Sequence, residues 1–306
     1  MIEIFEKHRA LSLSNFKGKY LICPACGKLR LKPYAYTNGS IESETLGRCQ
    51  REANCGYHLK PQDYFKNKGE DFYNRVTFKP PVPKEMYILK AEICAPFIAN
   101  YRASTLFQFL QQTGIDYSGV FERYKIGSTK HGSTIFFQFD GANFRTGKKI
   151  KYLENGHRDK SVLPPVGWLH KIQPDFDEKK QELRQCFFGR CLLANSETVC
   201  IVESEKTAIV CAGIFKNAVW MATGGRTQLS GVRLSELSQK KVLLFPDSDS
   251  VDFWTEKIKA FGNCKVVDLK QFNVREKEGA DIADYLLEGT DKVRGELFRK
   301  LMLLIK

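Results

Sequence analysis

Nowhere in the 306 residues does an uninterrupted apolar run approach the roughly 18 residues needed to cross a membrane as a helix. The first twenty residues, MIEIFEKHRALSLSNFKGKY, also lack the apolar centre of a secretory signal. The expectation is a cytoplasmic protein that does not span a membrane. No G-x-x-x-x-G-K followed by Ser or Thr occurs, so the sequence shows no sign of a fused helicase motor. Internal repeats and low-complexity segments are missing too. Acidic residues are in deficit: 35 Asp and Glu stand against 48 Lys and Arg, a formal charge of +13 that favours a polyanionic partner and salt-dependent binding. Ten cysteines are too few for a disulfide scaffold of this length. Cys94, Cys186, Cys191, Cys200, Cys211 and Cys264 sit mostly in apolar runs, where cysteine behaves as a small hydrophobe, so a reducing compartment is expected.

Two hydrophobic runs end in carboxylates. Thr198–Val202 leads into Glu203, and Lys241–Phe245 leads into Asp247-Ser-Asp249. Each is a short apolar run bounded by polar residues, the pattern of a strand buried on both faces. Ala218–Ala222 reads the same way and runs into Thr223-Gly224-Gly225, and Cys264–Leu269 makes a fourth. The segments between suit helices over 204–214 and 250–261, the second with Trp254, Ile258 and Phe261 on one face. A last helix over 291–306 aligns Val293, Leu297, Leu301 and Leu304. Strands alternating with helices predict a parallel α/β sheet, and in open sheets of that kind ligands bind beyond the carboxyl ends of the strands. Glu203, Gly224, Gly225, Asp247 and Asp249 all fall there. Magnesium suits such a place, because it takes one or two carboxylates and completes its shell with substrate phosphates. Lys206, one turn after Glu203, is placed to face a triphosphate.

The other end of the chain carries Cys23-Pro-Ala-Cys26-Gly27, a zinc knuckle with two thiolates and a glycine that lets the backbone turn tightly. A second pair follows as Cys49 and Cys55, with His58 three residues on. Four thiolates in two turns predict a zinc ribbon. The second spacing is wide, so His58 competes with Cys55, and Cys55 is preferred because Cys-Gly repeats the first knuckle.

The ordered set of Glu203 in VESEKTA, Gly224 and Gly225 in MATGGRT, and Asp247 and Asp249 in FPDSDS resembles the toprim domain of bacterial-type DNA primases, topoisomerases and some nucleases. A later acidic motif of the primase branch is similar to Gly279-Ala-Asp281-Ile-Ala-Asp284, which carries Asp281 over directly and Asp284 loosely. Two departures stand out. Primases continue the Asp-x-Asp with Ala-Gly where this chain has Ser250-Val-Asp-Phe-Trp254, and Ala280 replaces the lysine of the last motif. The resemblance implies that Asp247, Asp249 and Asp281 hold one or two magnesium or manganese ions. Glu203 then either binds metal or acts as general base toward an attacking hydroxyl.

A zinc ribbon ahead of a toprim domain is the layout of bacterial-type primases, in which the ribbon contacts single-stranded template. The phrase GRCQREANCGYHLKPQDYF is similar to one in proteins of Bacteroidetes phages and conjugative elements that join a ribbon, a primase-like core and a toprim domain. In the middle of the chain, FERYKIG and KIKYL resemble phrases of primase cores. Arg145, Lys148, Lys149 and Lys151, interleaved with Phe144 and Tyr152, have the composition of a single-strand track: charge for phosphates, aromatic faces for bases.

The expected architecture is therefore an α/β toprim domain with a parallel sheet and flanking helices, preceded by an α+β primase-like subdomain and a small zinc ribbon. The boundaries are a ribbon at 1–75, a Pro-rich linker at 76–90, a primase-core subdomain at 91–190 and the toprim domain with its C-terminal helix at 191–306. Residues 174–184 suit a surface helix or loop. The implied function is primer synthesis from ribonucleoside triphosphates on single-stranded DNA for a phage or mobile element, with unwinding left to a separate helicase. A toprim nuclease and a non-catalytic single-stranded-DNA-binding module are the alternatives. No tyrosine can be assigned as a topoisomerase nucleophile.

Overall fold

The computed structural model describes residues 11–68, 83–272 and 279–305. The chain forms two compact units, Met1–Pro81 and Val82–Lys306.

The first unit is an antiparallel sheet of β1 (Leu21–Ile22), β2 (Leu29–Pro33) and β3 (Gly47–Cys49), in that order, followed by α1 (Glu52–Cys55) and α2 (Pro61–Asn67). Pro61 opens α2 because a helix leaves its first N–H groups without internal partners, and Phe65 from that helix is buried. The central cluster consists of Cys23, Leu31 and Cys49, with Leu21, Cys26, Cys55 and Tyr57 against it. So small a core, made largely of thiols, gives little apolar burial.

The second unit begins with β4 (Glu85–Met86), α3 (Ala91–Ala99), α4 (Thr105–Gln111) and α5 (Ser118–Arg123). An antiparallel sheet follows, β5 (Ile126–Ser128), β6 (Thr134–Phe139), β7 (Phe144–Ile150) and β8 (Gly167–Trp168), in sequential order, and β9 (Gln181–Glu182) pairs with β4 in parallel. Of the linker expected at 76–90, residues 76–82 lie outside the described residues. Residues 83–90 pack against the second unit: Glu85 and Tyr87 donate backbone N–H groups to Lys180 and Glu182, and Tyr87 and Leu89 are buried. The same pairing gives 174–184 a short strand, where a helix or loop was expected.

The last part contains β10 (Thr198–Val202), α6 (Glu205–Ile214), β11 (Val219–Ala222), α7 (Gly231–Ser235), β12 (Lys241–Phe245), α8 (Val251–Ile258), β13 (Cys264–Val266), α9 (Ile282–Glu288) and α10 (Asp291–Ile305). These four strands form a parallel sheet in the order β11-β10-β12-β13. Alternation sends Cys200, Val202, Trp220, Ala222, Leu243 and Phe245 to one face, with α6, α9 and α10, and Val199, Ile201, Met221, Val242 and Leu244 to the other, with α7 and α8. Burial on both faces is why the strands read as unbroken apolar runs. Helix α6 is itself enclosed, and Gly213 on it is required by close packing: a Cβ there would meet the Tyr117 ring at 2.3 Å. In register, Val202 lies beside Ala222 on one side and Phe245 on the other. Glu203, Thr223 and Pro246 therefore leave the sheet at one level, which sets the floor of a site. Among the described residues no helix is long and apolar enough to cross a membrane.

Candidate functional site

The first unit gathers four thiols. Cys23 and Cys26 come from the turn between β1 and β2, Cys49 from the end of β3 and Cys55 from the end of α1. Sγ atoms of Cys23 and Cys55 are 4.0 Å apart, those of Cys26 and Cys49 are 3.9 Å apart, and all four lie within 4.8 Å of one another. A tetrahedral zinc with Zn–S bonds of about 2.3 Å has S···S edges of about 3.8 Å, so the set fits the ion. Gly27, with φ of 64°, closes the knuckle by donating its N–H to the Cys23 carbonyl at 2.9 Å. Burial raises the Cys23 thiol, but N–H groups of Cys26 and Ala25 outweigh it and bring it down to about 7. Burial and the neighbouring thiols push Cys49 up to about 12, a conflict that a cation relieves. His58 is committed elsewhere, with Nε2 2.9 Å from the Tyr34 hydroxyl and Nδ1 3.0 Å from Glu52 Oε1. Cys55 is thus the fourth member, as preferred from sequence.

The second unit brings acidic residues to the carboxyl edge of the parallel sheet. Glu203 is buried at 7% exposure, and its Oε1 accepts the Asp247 backbone N–H at 3.4 Å. Burial raises the Glu203 carboxyl; hydrogen bonds from Ser250 and Asp247 oppose the rise, Asp249 adds to it and Arg226 opposes it. Asp247, half-buried, is pushed up to about 8 by burial first and then by Glu203, Asp281, Asp249 and Asp284. Asp249 is exposed and accepts the Ser250 hydroxyl at 3.1 Å. Asp281 caps α9 in a capping box with Asp284, accepts the Thr207 hydroxyl, and is raised by burial and by Asp284. A bond of 3.0 Å from the Ser248 N–H to the Ala280 carbonyl ties the Asp-x-Asp turn to the Asp281 loop. The four predicted acids thus share one edge. Among the described residues, only the cysteine set places three or more metal-ligating side chains within 4.8 Å of one another, so the carboxylates do not form so tight a group. Their all-oxygen chemistry fits magnesium or manganese, which keep several waters and need only one or two carboxylates each.

Lys206 borders a cleft of about 550 Å³ with Tyr152, Gly156, Arg158, Lys160, Ser204 and Asp281 on its walls. Its ammonium donates to the Gly156 carbonyl at 3.1 Å. Lys206, Arg158 and Lys160 thus put three cations around one cleft beside Asp281.

The basic track is broken up. Lys148 is buried and donates to both Glu205 carboxylate oxygens at 2.9 Å and to the Gly224 carbonyl at 3.1 Å, so it faces inward, away from a template. Tyr152 is buried too, its ring edge-on to Phe136, so it offers no face to a base; burial raises its hydroxyl. Arg145 is paired with Asp140. Lys149 and Lys151 remain exposed, the second 4.0 Å from Asp159. The physical reason is the strand period: alternate residues of β7 point to opposite faces. Gly224, with φ of 87°, and Gly225 form the turn after β11, and the Gly224 carbonyl is held by Lys148. Sequence reasoning missed Glu205, Thr207 and Ser250. The second glutamate of VESEK was a local signal for the first, whereas nothing local marked its lysine partner 57 positions away.

Residues 10–70 match a family described as a zinc beta-ribbon finger, and residues 104–248, from α4 to the turn after β12, match a domain of unknown function (DUF6371). No curated protein matches the chain. Among solved structures, the chain is similar to the DnaG primase catalytic domain bound to ssDNA, with a TM-score of 0.45 and 11% identity over 68% of this chain and 78% of that one. It is also similar to the zinc-binding and RNA polymerase domains of the Aquifex aeolicus primase, at 0.44 and 13% over 68% and 59%. A third similarity is to the RNA polymerase domain of the Mycobacterium tuberculosis primase DnaG in complex with a double-stranded DNA oligomer carrying a 6-nucleotide overhang, at 0.41 and 14% over 68% and 78%.

Proposed function

We propose that the chain is a DNA primase of the zinc-ribbon, toprim type, which binds single-stranded DNA and joins ribonucleotides into a primer for a phage or mobile element. The observation that carries this reading is Asp247. A carboxyl pushed up to about 8 by burial and by four acidic neighbours, at the carboxyl edge of a parallel sheet, sits in a field that a divalent cation relieves. In this reading residues 191–306 are the toprim domain and 91–190 the primase core.

Glu203, Asp247, Asp249 and Asp281 would hold magnesium or manganese, which when bound neutralises charge developing on the transferred phosphoryl group. The remaining roles belong to side chains. Glu203, buried at the sheet edge with its Oε1 held by the Asp247 N–H, is either one of these ligands or the base that takes the proton of the attacking hydroxyl. Lys206, with Arg158 and Lys160, holds the triphosphate in the cleft beside Asp281. The capping box and the Thr207 hydroxyl fix Asp281, so that the acid does not reorganise during the reaction. Without a phosphate-loop motor, unwinding falls to a separate helicase.

The test is incorporation of labelled ribonucleotides on single-stranded DNA with magnesium or manganese, comparing the native chain with Asp247→Asn. Products from the native chain alone support the reading, and equal synthesis by both removes Asp247 from the site. A non-catalytic DNA-binding module is the second reading, favoured by the carboxylate spacing and by Ser250-Val-Asp-Phe-Trp254 after the Asp-x-Asp. DNA binding without synthesis supports it, and metal-dependent nicking without nucleotides points to a toprim nuclease.

A further inference from the structure

The turn after the edge strand β11 and the helix after β12 meet around one aromatic ring. Arg226 follows Gly224 and Gly225 and opens a 3-10 turn, Arg226–Gln228. Its carbonyl accepts the indole N–H of Trp254 at 3.0 Å, and Trp254 is fully buried, so the Arg226 backbone is anchored. Its guanidinium lies 5.1 Å from the centroid of the Phe253 ring, and the Lys257 ammonium lies 5.6 Å from the same centroid. Both cations are exposed, and among the described residues neither forms a close ion pair with a carboxylate, Arg226 acting on Glu203 only through its field; the nearby Glu256 is taken up by Lys259. Phe253 and Trp254, which supply the ring and the anchor, occupy the segment where the chain departs from the Ala-Gly of primases.

Two like charges at one ring repel each other, and an anion bound beside them offsets that cost. A guanidinium stacked on an aromatic and fixed at its backbone is preorganised to present N–H donors to a phosphate oxygen. We propose that Arg226 and Lys257, seated on Phe253, bind a backbone phosphate of a nucleic-acid strand at the rim of the carboxylate edge. A strand is favoured over a free nucleotide because Arg226 and Lys257 are both exposed to solvent and lie outside the lining of the Lys206 cleft, which takes the triphosphate in the proposed function. The inference rests on the proposed nucleic-acid substrate, and Arg226 lies close enough to Glu203 to act on its charge.

The experiment is fluorescence anisotropy of a labelled oligothymidylate from about 50 to about 200 mM salt, without metal or nucleotide. Arg226→Ala and Lys257→Ala should each weaken binding several-fold, and the double variant should reduce the slope of log K against log salt by about 0.7, the value for one phosphate contact on a single strand. Arg226→Lys, which keeps the charge, should keep the slope. Lys292→Ala on α10 should match the native chain. The proposal is overturned if the Arg226→Ala/Lys257→Ala double variant keeps native slope and affinity, or loses no more than Lys292→Ala. It is overturned equally if the native chain fails to bind the strand. Absence of primer synthesis by a native chain that binds would sink the primase reading and leave this result standing.

Discussion

Lys148 and Glu205 form a buried ion pair that joins the antiparallel sheet to the first turn of α6. Both are less than a tenth exposed, and the same ammonium holds the Gly224 carbonyl. One lysine therefore fixes both the start of the helix behind Glu203 and the glycine turn beside it. Removing one partner of such a pair strands the other charge, at a cost of about 3 kcal/mol. Lys148→Met should lower stability to urea by about that much, and Lys148→Met/Glu205→Met should recover part of it. A single variant of native stability would show that the pair contributes nothing.

Asp247 gives the metal-free protein a pH dependence. Its folded-state pKa, about 8, lies above the ordinary carboxylate value, burial being the largest cause. Its stabilising contribution is complete below about pH 4, where both states are protonated, and is lost as the pH climbs toward 8. The thermal midpoint of Asp247→Asn should exceed that of the native chain by several degrees at pH 8 and match it near pH 4. Magnesium should narrow the gap. A variant that declines with pH as the native chain does would clear Asp247 of the effect.

The parallel sheet was legible because buried strands write themselves as unbroken apolar runs, and the acids at their ends marked the edge. Period-two geometry hid the inner half of the site. Lys148, Lys149, Lys151 and Tyr152 look like one track in sequence, but β7 turns Lys148 inward and Lys149 outward, and Tyr152 beyond it is buried. The prolines before β4 suggested a linker through residue 90, whereas Tyr87 and Leu89 are core residues. Tyr87 bonds to Glu182 and Asp175, in a distant segment whose charge suggested only surface, and Leu89 bonds to Phe144 on β7. Non-local pairing of this kind leaves no local trace.

Zinc should decide whether the first unit folds. Its core is mostly thiols, and zinc binding to a four-ligand site is worth about 10–16 kcal/mol. One zinc per chain is expected by elemental analysis. Cys26→Ser and Cys55→Ser should lose it, and chelation should unfold the ribbon. His58→Ala should keep the metal, because its ring nitrogens serve Tyr34 and Glu52. Zinc lost from His58→Ala but kept by Cys55→Ser would reverse the ligand assignment.

The split of β7 makes a prediction opposite to that of a continuous basic track. If Tyr152 stacked on bases, its replacement would weaken single-strand binding by about 1–3 kcal/mol; buried against Phe136, it has no face to offer. Tyr152→Leu removes the aromatic face that a base would stack on, so the DNA affinity of the folded variant should be unchanged. Lys149→Ala and Lys151→Ala should each reduce the salt slope by about 0.7, since both ammonium groups are exposed. Lys148→Met should leave the slope at its native value while lowering stability, because its charge is already spent on Glu205. A slope that falls with Lys148→Met but holds with Lys149→Ala would mean that β7 presents its other face to the strand, and that the buried pair opens when DNA binds.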